Sequence, residues 1–284
     1  MLLVILLVLL PILLYLFLIA PDLLHRKISR KALFPCKYAH RGLHDKETGI
    51  PENSVAAFRR AAALGYGIEL DVHLTKDRQL VVIHDHSAER MCGYKKMISD
   101  MTLEEIRELR LNDTQEAVPT FDEALNAVGG KVPLMVELKS APGMEKDTDI
   151  AVLVNARMQS YRGPYCVESF NPLLLRWYKK HAPQVFRGQL ASGYNKGKRE
   201  GAGAKFLRFC HANLLTNFLS RPDFVSYDQR TDRNLSFRLV RSVFRPTLAV
   251  WTVRSQEELA QLDTCYDGLI FEGFTPHEMI IKGE

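Results

Sequence analysis

Cysteine is sparse in this 284-residue chain, and its spacing excludes two kinds of site. The five cysteines are odd in number and widely separated, and no C-x-x-C pair occurs. A disulfide framework uses an even set, and a structural zinc site uses closely spaced ligand pairs. We therefore expect reduced thiols in a reducing compartment.

The sequence also lacks a basic stripe interleaved with aromatic residues, although its net charge is +5. Several of the basic residues instead follow the apolar N-terminus, among them Arg26, Lys27 and Arg30. Nucleic-acid-binding domains cluster their positive charge on one face or along one helix. We therefore expect no nucleic-acid partner.

The first 20 residues contain no charged side chain and are mostly Leu, Ile and Val. A helix of that length reaches roughly 30 Å, the thickness of the hydrocarbon core of a membrane, and Pro11 is tolerated there. A cleaved signal peptide is the alternative, but it would need positive charge before the apolar run and a small-residue cleavage motif after it. We predict a transmembrane helix or signal anchor over residues 1–21.

Positive charge follows this apolar segment and none precedes it beyond the amino terminus. We therefore predict a basic juxtamembrane linker over residues 22–34 and one catalytic domain over residues 35–284. Because cytoplasmic flanks carry the excess of Lys and Arg, we expect a single-pass membrane protein with this domain in the cytoplasm.

After residue 35, short apolar runs alternate with stretches of helical pattern. Eight runs are typical of parallel strands buried on both faces: 36–42, 67–72, 132–139, 165–170, 186–191, 224–228, 248–253 and 268–272. This alternation predicts an α/β fold, a (β/α)8 TIM barrel. An extra strand-like run, 80–85, follows too closely for a helix to intervene, so we predict a hairpin in which residue numbers sum to about 155 and His84 faces Asp71.

Polar residues gather where the predicted strands end, which is the face that carries chemistry in such barrels. Glu69 and Asp71 are two apart on one strand and so share a face, and Glu137 lies on the neighbouring strand. Buried carboxylates need compensation. Either a hard divalent cation such as Mg²⁺ or Ca²⁺ or salt bridges to Arg41 and Lys139 would supply it.

Two histidines, His40 and His84, end strands at the same rim. A pair of imidazoles can take and give protons near neutral pH, as cleavage of a phosphodiester requires. Arg41 offers a planar fork that matches phosphate oxygens, and Lys139 adds a point charge. The combination predicts a metal-dependent phosphodiesterase.

These residues resemble the glycerophosphodiester phosphodiesterase family across nearly all of the chain after residue 35. The resemblance rests on motifs in a fixed order: Ala39-His-Arg-Gly42, Pro51-Glu-Asn-Ser54, Glu69-Leu-Asp-Val72, Val82-Ile-His-Asp85, Pro119-Thr-Phe-Asp-Glu-Ala124, Glu137-Leu-Lys139 and Trp251-Thr-Val253. It implies a phospholipase C-like barrel that hydrolyses glycerophosphodiesters to sn-glycerol 3-phosphate and an alcohol. Either a substrate hydroxyl, through a cyclic phosphate, or water attacks phosphorus.

By position, the resemblance implies three groups of site residues. His40 and His84 form the acid/base pair, and Glu69, Asp71 and Glu137 hold one divalent cation, Mg²⁺ or Ca²⁺. The substrate and its phosphate are bound by Arg41, Lys139 and Trp251. Trp251 either stacks on the glycerol or belongs to the barrel core.

Two residues depart from the family pattern at the rim, Arg254 after the Trp-Thr-Val motif and Glu272 after the last strand. They leave open a lysophospholipase D acting on lysophospholipids, and a non-catalytic lipid-binding barrel is a further alternative. We expect Glu52 and Asn53 to cap the helix that follows them. The loop over residues 192–205 is either mobile or in contact with anionic lipid headgroups.

Overall fold

The computed structural model describes residues 2–22, 30–193, 201–231 and 233–277. Nine strands form one sheet: β1 (Tyr38–Ala39), β2 (Gly67–Leu74), β3 (Leu80–Val82), β4 (Leu134–Leu138), β5 (Tyr165–Ser169), β6 (Arg187–Ala191), β7 (Phe224–Asp228), β8 (Thr247–Val253) and β9 (Gly268–Phe271). Their order is β1-β9-β8-β7-β6-β5-β4-β2-β3, and pairing of β1 with β2 closes the ring. Eight of the described strands run parallel, which confirms the predicted barrel.

Helices surround the barrel and occupy the connections between strands. They are α1 (Leu2–Ile19), α2 (Arg30–Leu33), α3 (Val55–Ala63), α4 (Glu89–Cys92), α5 (Leu103–Arg107), α6 (Phe121–Val128), α7 (Asp149–Met158), α8 (Pro172–His181), α9 (Ala202–Ala212), α10 (Asn217–Ser220), α11 (Leu235–Leu239) and α12 (Gln256–Leu262). Capping boxes at Thr102 and Thr120 begin α5 and α6. In each, the threonine side chain accepts a hydrogen bond from the third helical amide, and the glutamate at that third position accepts one from the amide of the threonine.

The first strand is shorter than the predicted run 36–42, because the chain turns sharply after Ala39. Arg41 has φ 58° and Gly42 has φ 78°. A Cβ added at Gly42 would lie 2.9 Å from the Cβ of Ala57, so this turn requires glycine. The turn directs His40 and Arg41 away from the strand and over the end of the barrel.

The predicted hairpin is present, but its register is off by one residue. Val72 pairs with Val82 in the antiparallel β2–β3 ladder, and the partners' numbers sum to 154. The amide of Ile83, rather than His84, lies beside Asp71 and donates to its carbonyl oxygen at 3.0 Å. His84 therefore follows the ladder and can turn toward the barrel mouth.

Aromatic side chains close the amino-terminal end of the barrel. The ring of Phe34 meets those of Phe186 and Phe224 edge-on, with centroids 6.3 and 5.6 Å away. Tyr38 donates a hydrogen bond to the carbonyl oxygen of Leu33. The described side chains fill this end of the barrel, so the carboxyl-terminal end is the one that can receive a ligand.

The apolar N-terminus is a helix, but the prediction of a transmembrane span is not supported. Within the described ranges, no helix combines the length and the apolar character that crossing a membrane requires. Helix α1 has 18 residues, roughly 27 Å at the standard helical rise, and Ile19 at its end is fully buried against the barrel.

Residues far along the chain bind the end of α1. Arg221 donates to the carbonyl oxygens of Phe17 and Ala20, both at 2.8 Å, and Asn217 donates to that of Ile19 at 2.9 Å. These groups satisfy the carbonyls that a helix end leaves unpaired. The helix is therefore fixed to the barrel rather than attached by a free tether.

Beside this helix end, Arg187 is 1% exposed and is held between two carboxylates. Its guanidinium lies 3.1 Å from Asp22 and 3.2 Å from Asp223. It also donates to the carbonyl oxygens of Ser220 and Arg221. The ion pairs join the segment after α1 to the first residue of β6 and the approach to β7.

We predict that Arg187→Met lowers the free energy of unfolding by about 3–5 kcal/mol, because it leaves buried carboxylates without their cation. Urea denaturation of the full chain measures this. Arg238→Met, at an exposed position on α11, is the matched control and should change stability by less than about 0.5 kcal/mol. Equal effects of the two variants would contradict the assignment of Arg187 as a structural ion pair.

Candidate active site

Three carboxylates converge at the carboxyl end of β2 and β4. Asp71 lies directly across from Glu137 in the parallel ladder, and Glu69 is two residues back on the same face of β2. One oxygen of each lies within 4.8 Å of the others, and all three side chains are buried. Their placement agrees with the sequence-based prediction.

Two cations lie among these carboxylates. The Nζ of Lys139 is 2.9 Å from Oδ1 of Asp71 and 2.7 Å from Oε2 of Glu137. The Nε of Arg41 is 3.7 Å from Oδ2 of Asp71, and its backbone amide donates to Oε2 of Glu69 at 3.0 Å. The salt bridges considered from the sequence are thus present, but they cover the three carboxylates unequally.

Burial is the largest influence on the pKa of each of the three carboxyl groups, but the net shifts differ in direction. Burial, with the added repulsion of Asp71 and Glu137, raises the pKa of Glu69 well above its usual range. Burial also raises the pKa of Glu137 to about 7, despite Lys139. At Asp71 the effect of burial is outweighed by Lys139, His84 and Arg41, which lower the pKa well below its usual range. This buried set of hard oxygen donors could therefore hold a metal ion.

His40 is held by a carboxylate from the last strand. Its Nδ1 lies 3.1 Å from Oε2 of Glu272, and its Nε2 points toward Glu69 at 3.9 Å. The same Glu272 oxygen accepts Arg254 at 3.1 Å, and its other oxygen is 3.7 Å from His44. The two departures at the rim thus pair with each other, and Glu272 orients His40.

His84 is oriented in the same way by its neighbour in sequence. Its Nδ1 lies 2.7 Å from Oδ1 of Asp85, which leaves Nε2 as the free ring nitrogen. Burial lowers the pKa of both His40 and His84, although Glu272 and Asp71 respectively oppose the shift. Each imidazole therefore favours its neutral form in the free protein.

A chain of ion pairs connects the two halves of the site through Glu52. Its Oε1 accepts Arg41 at 2.8 Å and Arg90 at 2.7 Å, and Arg90 in turn binds Asp85, the partner of His84. Asn53, with φ 53°, donates to Oδ2 of Asp71 at 2.8 Å.

The prediction that Glu52 and Asn53 cap helix α3 is therefore wrong. Ser54 is the cap, and its side chain accepts from the amide of Ala57. The turn before the helix instead directs Glu52 and Asn53 toward the barrel mouth, where they position Arg41 and Asp71.

The site opens into a cavity of about 280 Å³. Phe170 and Trp251 meet edge-on on its wall, with ring centroids 6.0 Å apart. Asp71 lies fully buried, whereas the other residues predicted for the site line the cavity: His40, Arg41, Glu69, His84, Glu137, Lys139 and Trp251. The structure thus brings the whole predicted set together.

Sequence reasoning missed Glu272 as a partner of His40 and Glu52 as the bridge between Arg41 and Arg90. A signal existed for Glu272, because it follows the last strand, which a closed barrel places beside the first. Glu52 gave no signal of its own, since a polar residue before a helix is usually a cap. Ser169, the last residue of β5, donates to the carbonyl oxygen of Leu138 at 2.7 Å.

The fold is a TIM barrel with acidic, basic and imidazole groups at the carboxyl end of its strands, the face on which such barrels carry their chemistry. The model of the glycerophosphoryl diester phosphodiesterase family matches residues 40–272, and the chain belongs to that family.

Individual relatives match over shorter stretches. A glycerophosphodiester phosphodiesterase of Caldanaerobacter subterraneus is 38% identical over 164 residues, which are 54% of this chain and 65% of that protein. A human lysophospholipase D is 40% identical over 89 residues, 31% of this chain and 27% of that protein. The chain thus matches less than two thirds of the length of these curated relatives.

Solved structures are similar in fold over most of the chain. A glycerophosphodiester phosphodiesterase of Parabacteroides distasonis has a TM-score of 0.64 and 25% identity, with 83% of this chain and 92% of that chain covered. An Oleispira antarctica phosphodiesterase, solved with the product sn-glycerol 3-phosphate, has a TM-score of 0.67 at 21% identity, with 86% and 95% covered.

We predict that Glu52→Gln lowers the free energy of unfolding at neutral pH by about 1–3 kcal/mol, because two guanidiniums lose their shared carboxylate. Burial alone would raise the pKa of Glu52, but Arg90 and Arg41 lower it from 4.5. The loss of unfolding free energy in Glu52→Gln should be complete above pH 4.5. It should shrink as the pH falls through the lowered pKa, because the parent then also loses the charge of Glu52.

Denaturant titrations at several pH values measure this difference. Glu104→Gln, at an exposed position on α5, is the control and should leave stability nearly unchanged. A Glu52→Gln deficit that does not vary with pH would contradict the ion-pair role.

Proposed function

We propose that this chain is a phosphodiesterase that hydrolyses glycerophosphodiesters to sn-glycerol 3-phosphate and an alcohol. One observation carries the proposal: the imidazoles of His40 and His84 meet three carboxylates and two cations around a single cavity. Membership of the family and the names of the relatives support it.

Proton transfer is assigned to the two imidazoles. Each has a carboxylate at Nδ1, Glu272 for His40 and Asp85 for His84, so Nε2 is the exchanging atom in both. One neutral imidazole takes the proton of the attacking oxygen, and the other, protonated, gives a proton to the leaving oxygen. The attacking oxygen belongs either to water or to a substrate hydroxyl, in which case water opens the cyclic phosphate in a second step. An anionic phosphodiester in the cavity favours that protonated form.

Phosphate binding is assigned to Arg41 and Lys139, whose side chains line the cavity. Arg41 is held in place by Glu52 and Asp71, and Lys139 by Asp71 and Glu137, so neither cation must reorganise when charge gathers on phosphorus. Glu69, Asp71 and Glu137 would hold one divalent cation, Mg²⁺ or Ca²⁺. Such a cation would supply Lewis-acid stabilisation of the charge that develops on the phosphoryl group.

A lysophospholipase D activity is the second candidate, with the same chemistry on a substrate that keeps one acyl chain. The observation that favours it is the apolar wall of the cavity. Phe170 is 38% exposed and packs against Trp251, so an acyl chain leaving the site would have a surface to contact. The similarity to a human lysophospholipase D also supports it. From the charge pattern and the widely spaced cysteines, we also propose that the domain lies in the cytoplasm.

The function is tested by comparing glycerophosphocholine with lysophosphatidylcholine as substrates of the purified full chain. We expect His40→Ala and His84→Ala each to lower kcat/KM by about 10²–10⁴-fold, because each removes a proton-transfer group. His181→Ala, at an exposed position on α8, is the control. Turnover of neither substrate, or full activity of His40→Ala, would refute the proposal.

The metal is tested by titrating chelator-treated protein with Mg²⁺ or Ca²⁺ in a calorimeter. We expect one site per chain, and Glu69→Gln or Glu137→Gln should weaken binding by at least about tenfold, since each removes an oxygen ligand. Glu108→Gln, exposed on the surface, should bind as the parent does. Full phosphodiesterase activity after chelation would contradict the metal assignment.

A further inference from the structure

Large apolar side chains are exposed to solvent along the β6–β7 and β7–β8 connections. Helix α9 buries only Ala212, while Phe206 is 66% and Leu207 is 57% exposed. The helices that follow continue the pattern, with Leu235 at 64% and Val243 at 56% exposed. Among the described residues, these side chains have no barrel core to pack against, and an exposed apolar patch of this kind marks an interaction surface.

Helix α1 adds a second apolar surface. Its residues from 7 to 14 are exposed on every side, although Pro11 is the only one that is not Leu, Val or Ile. A helix that is apolar all round is normally buried in protein or lipid. Among the side chains of α1 that the structure describes, those from Tyr15 onward contact the barrel.

Hydrogen bonds place these helices side by side. The hydroxyl of Tyr15 on α1 lies 2.7 Å from that of Ser236 on α11. Asn213, which ends α9, accepts from Asn234 at 3.0 Å and from Ser236 at 3.4 Å. On the other side of α1, the rings of Phe17 and Phe218 are 6.2 Å apart. Helices α1, α9, α10 and α11, with the π-helical turn Val240–Phe244 that continues α11 to Arg245, therefore form one flank, which we call the apolar flank.

The charge on this flank has a single sign. Residues 201–222 and 233–246 contain no Asp or Glu, but they carry Lys or Arg at seven positions. Five of these side chains are exposed: Lys205, Arg233, Arg238, Arg241 and Arg245. Helix α5, in contrast, carries Glu104 and Glu105 in its first turn, although α8 also has only basic charge at its surface.

We propose that the apolar flank rests on the surface of a lipid bilayer that contains anionic lipids. Helices that lie in a membrane interface combine exposed Phe and Leu with Lys and Arg. Their apolar side chains enter the headgroup region, while their cationic side chains contact anionic lipids. The proposal does not depend on the catalytic assignment.

A second copy of the chain fits this flank poorly. A two-fold interface places the same patch against itself, so the cations of one copy would face those of the other with no carboxylate between them. A bilayer supplies the opposite charge and an apolar layer together. Because Arg221 and Asn217 fix the end of α1, contact through this flank also fixes the orientation of the barrel.

Flotation of the full chain with vesicles tests the proposal. One set of vesicles is phosphatidylcholine alone, and the other also contains phosphatidylglycerol. We expect Phe206→Ser/Phe209→Ser to weaken partitioning onto both by about tenfold or more, because two exposed rings lose their apolar contact. Arg238→Gln/Arg241→Gln should weaken it by a similar factor only on vesicles with phosphatidylglycerol, and added salt should mimic that change.

Leu64→Ser and Val152→Ser are matched controls, because they remove exposed apolar side chains, 45% and 43% exposed, from other helical regions. They should partition as the parent does. Hydrogen exchange gives a second readout: vesicles should protect the amides of residues 202–212 and 235–244 but not those of α5. The proposal would be overturned if both double variants partitioned as the parent does. It would also be overturned, in favour of self-association, if these amides became protected without vesicles as the protein concentration rises.

Discussion

The balance of buried charge at the carboxyl end of the barrel is the constraint on which the rest of the site depends. Three carboxylates leave water there, and isolated buried ions cost several kcal/mol each. The β2–β4 register makes this tolerable, because it sets Asp71 beside Glu137 and lets Lys139 reach both. A slip of one residue would turn Asp71 away from the barrel interior and leave Lys139 without that partner.

The fold was largely predictable from sequence because its signals are local. Buried parallel strands appear as short apolar runs, and seven of the eight predicted runs coincide with observed strands to within one or two residues at each end. The exception, β1, is cut short by the turn at Arg41 and Gly42, whose positive φ angles depend on packing against α3. The hairpin register was missed by one residue, since a turn sequence constrains pairing only approximately.

The chemistry at strand ends was predictable for the same reason, whereas its long-range partners were not. His40, Glu69, Asp71 and Glu137 are identified by position at the ends of strands. Glu272 acts on His40 across 232 positions of the chain, a contact that exists only because the ring closes. Similarly, hydropathy described the apolar N-terminus but could not show that Arg221, about 200 positions away, holds its end.

The two imidazoles are fixed by groups that are themselves fixed. His84 is held by Asp85, which binds Arg90, and Arg90 shares Glu52 with Arg41. His40 is held by Glu272, which Arg254 also binds. In both cases, a carboxylate whose charge is stabilised by arginine sets the tautomer and angle of a ring. Such a site spends little energy on reorganisation when charge develops. Arg254 and Glu272 therefore help to position His40 and are part of the active site together with the residues of the family motifs.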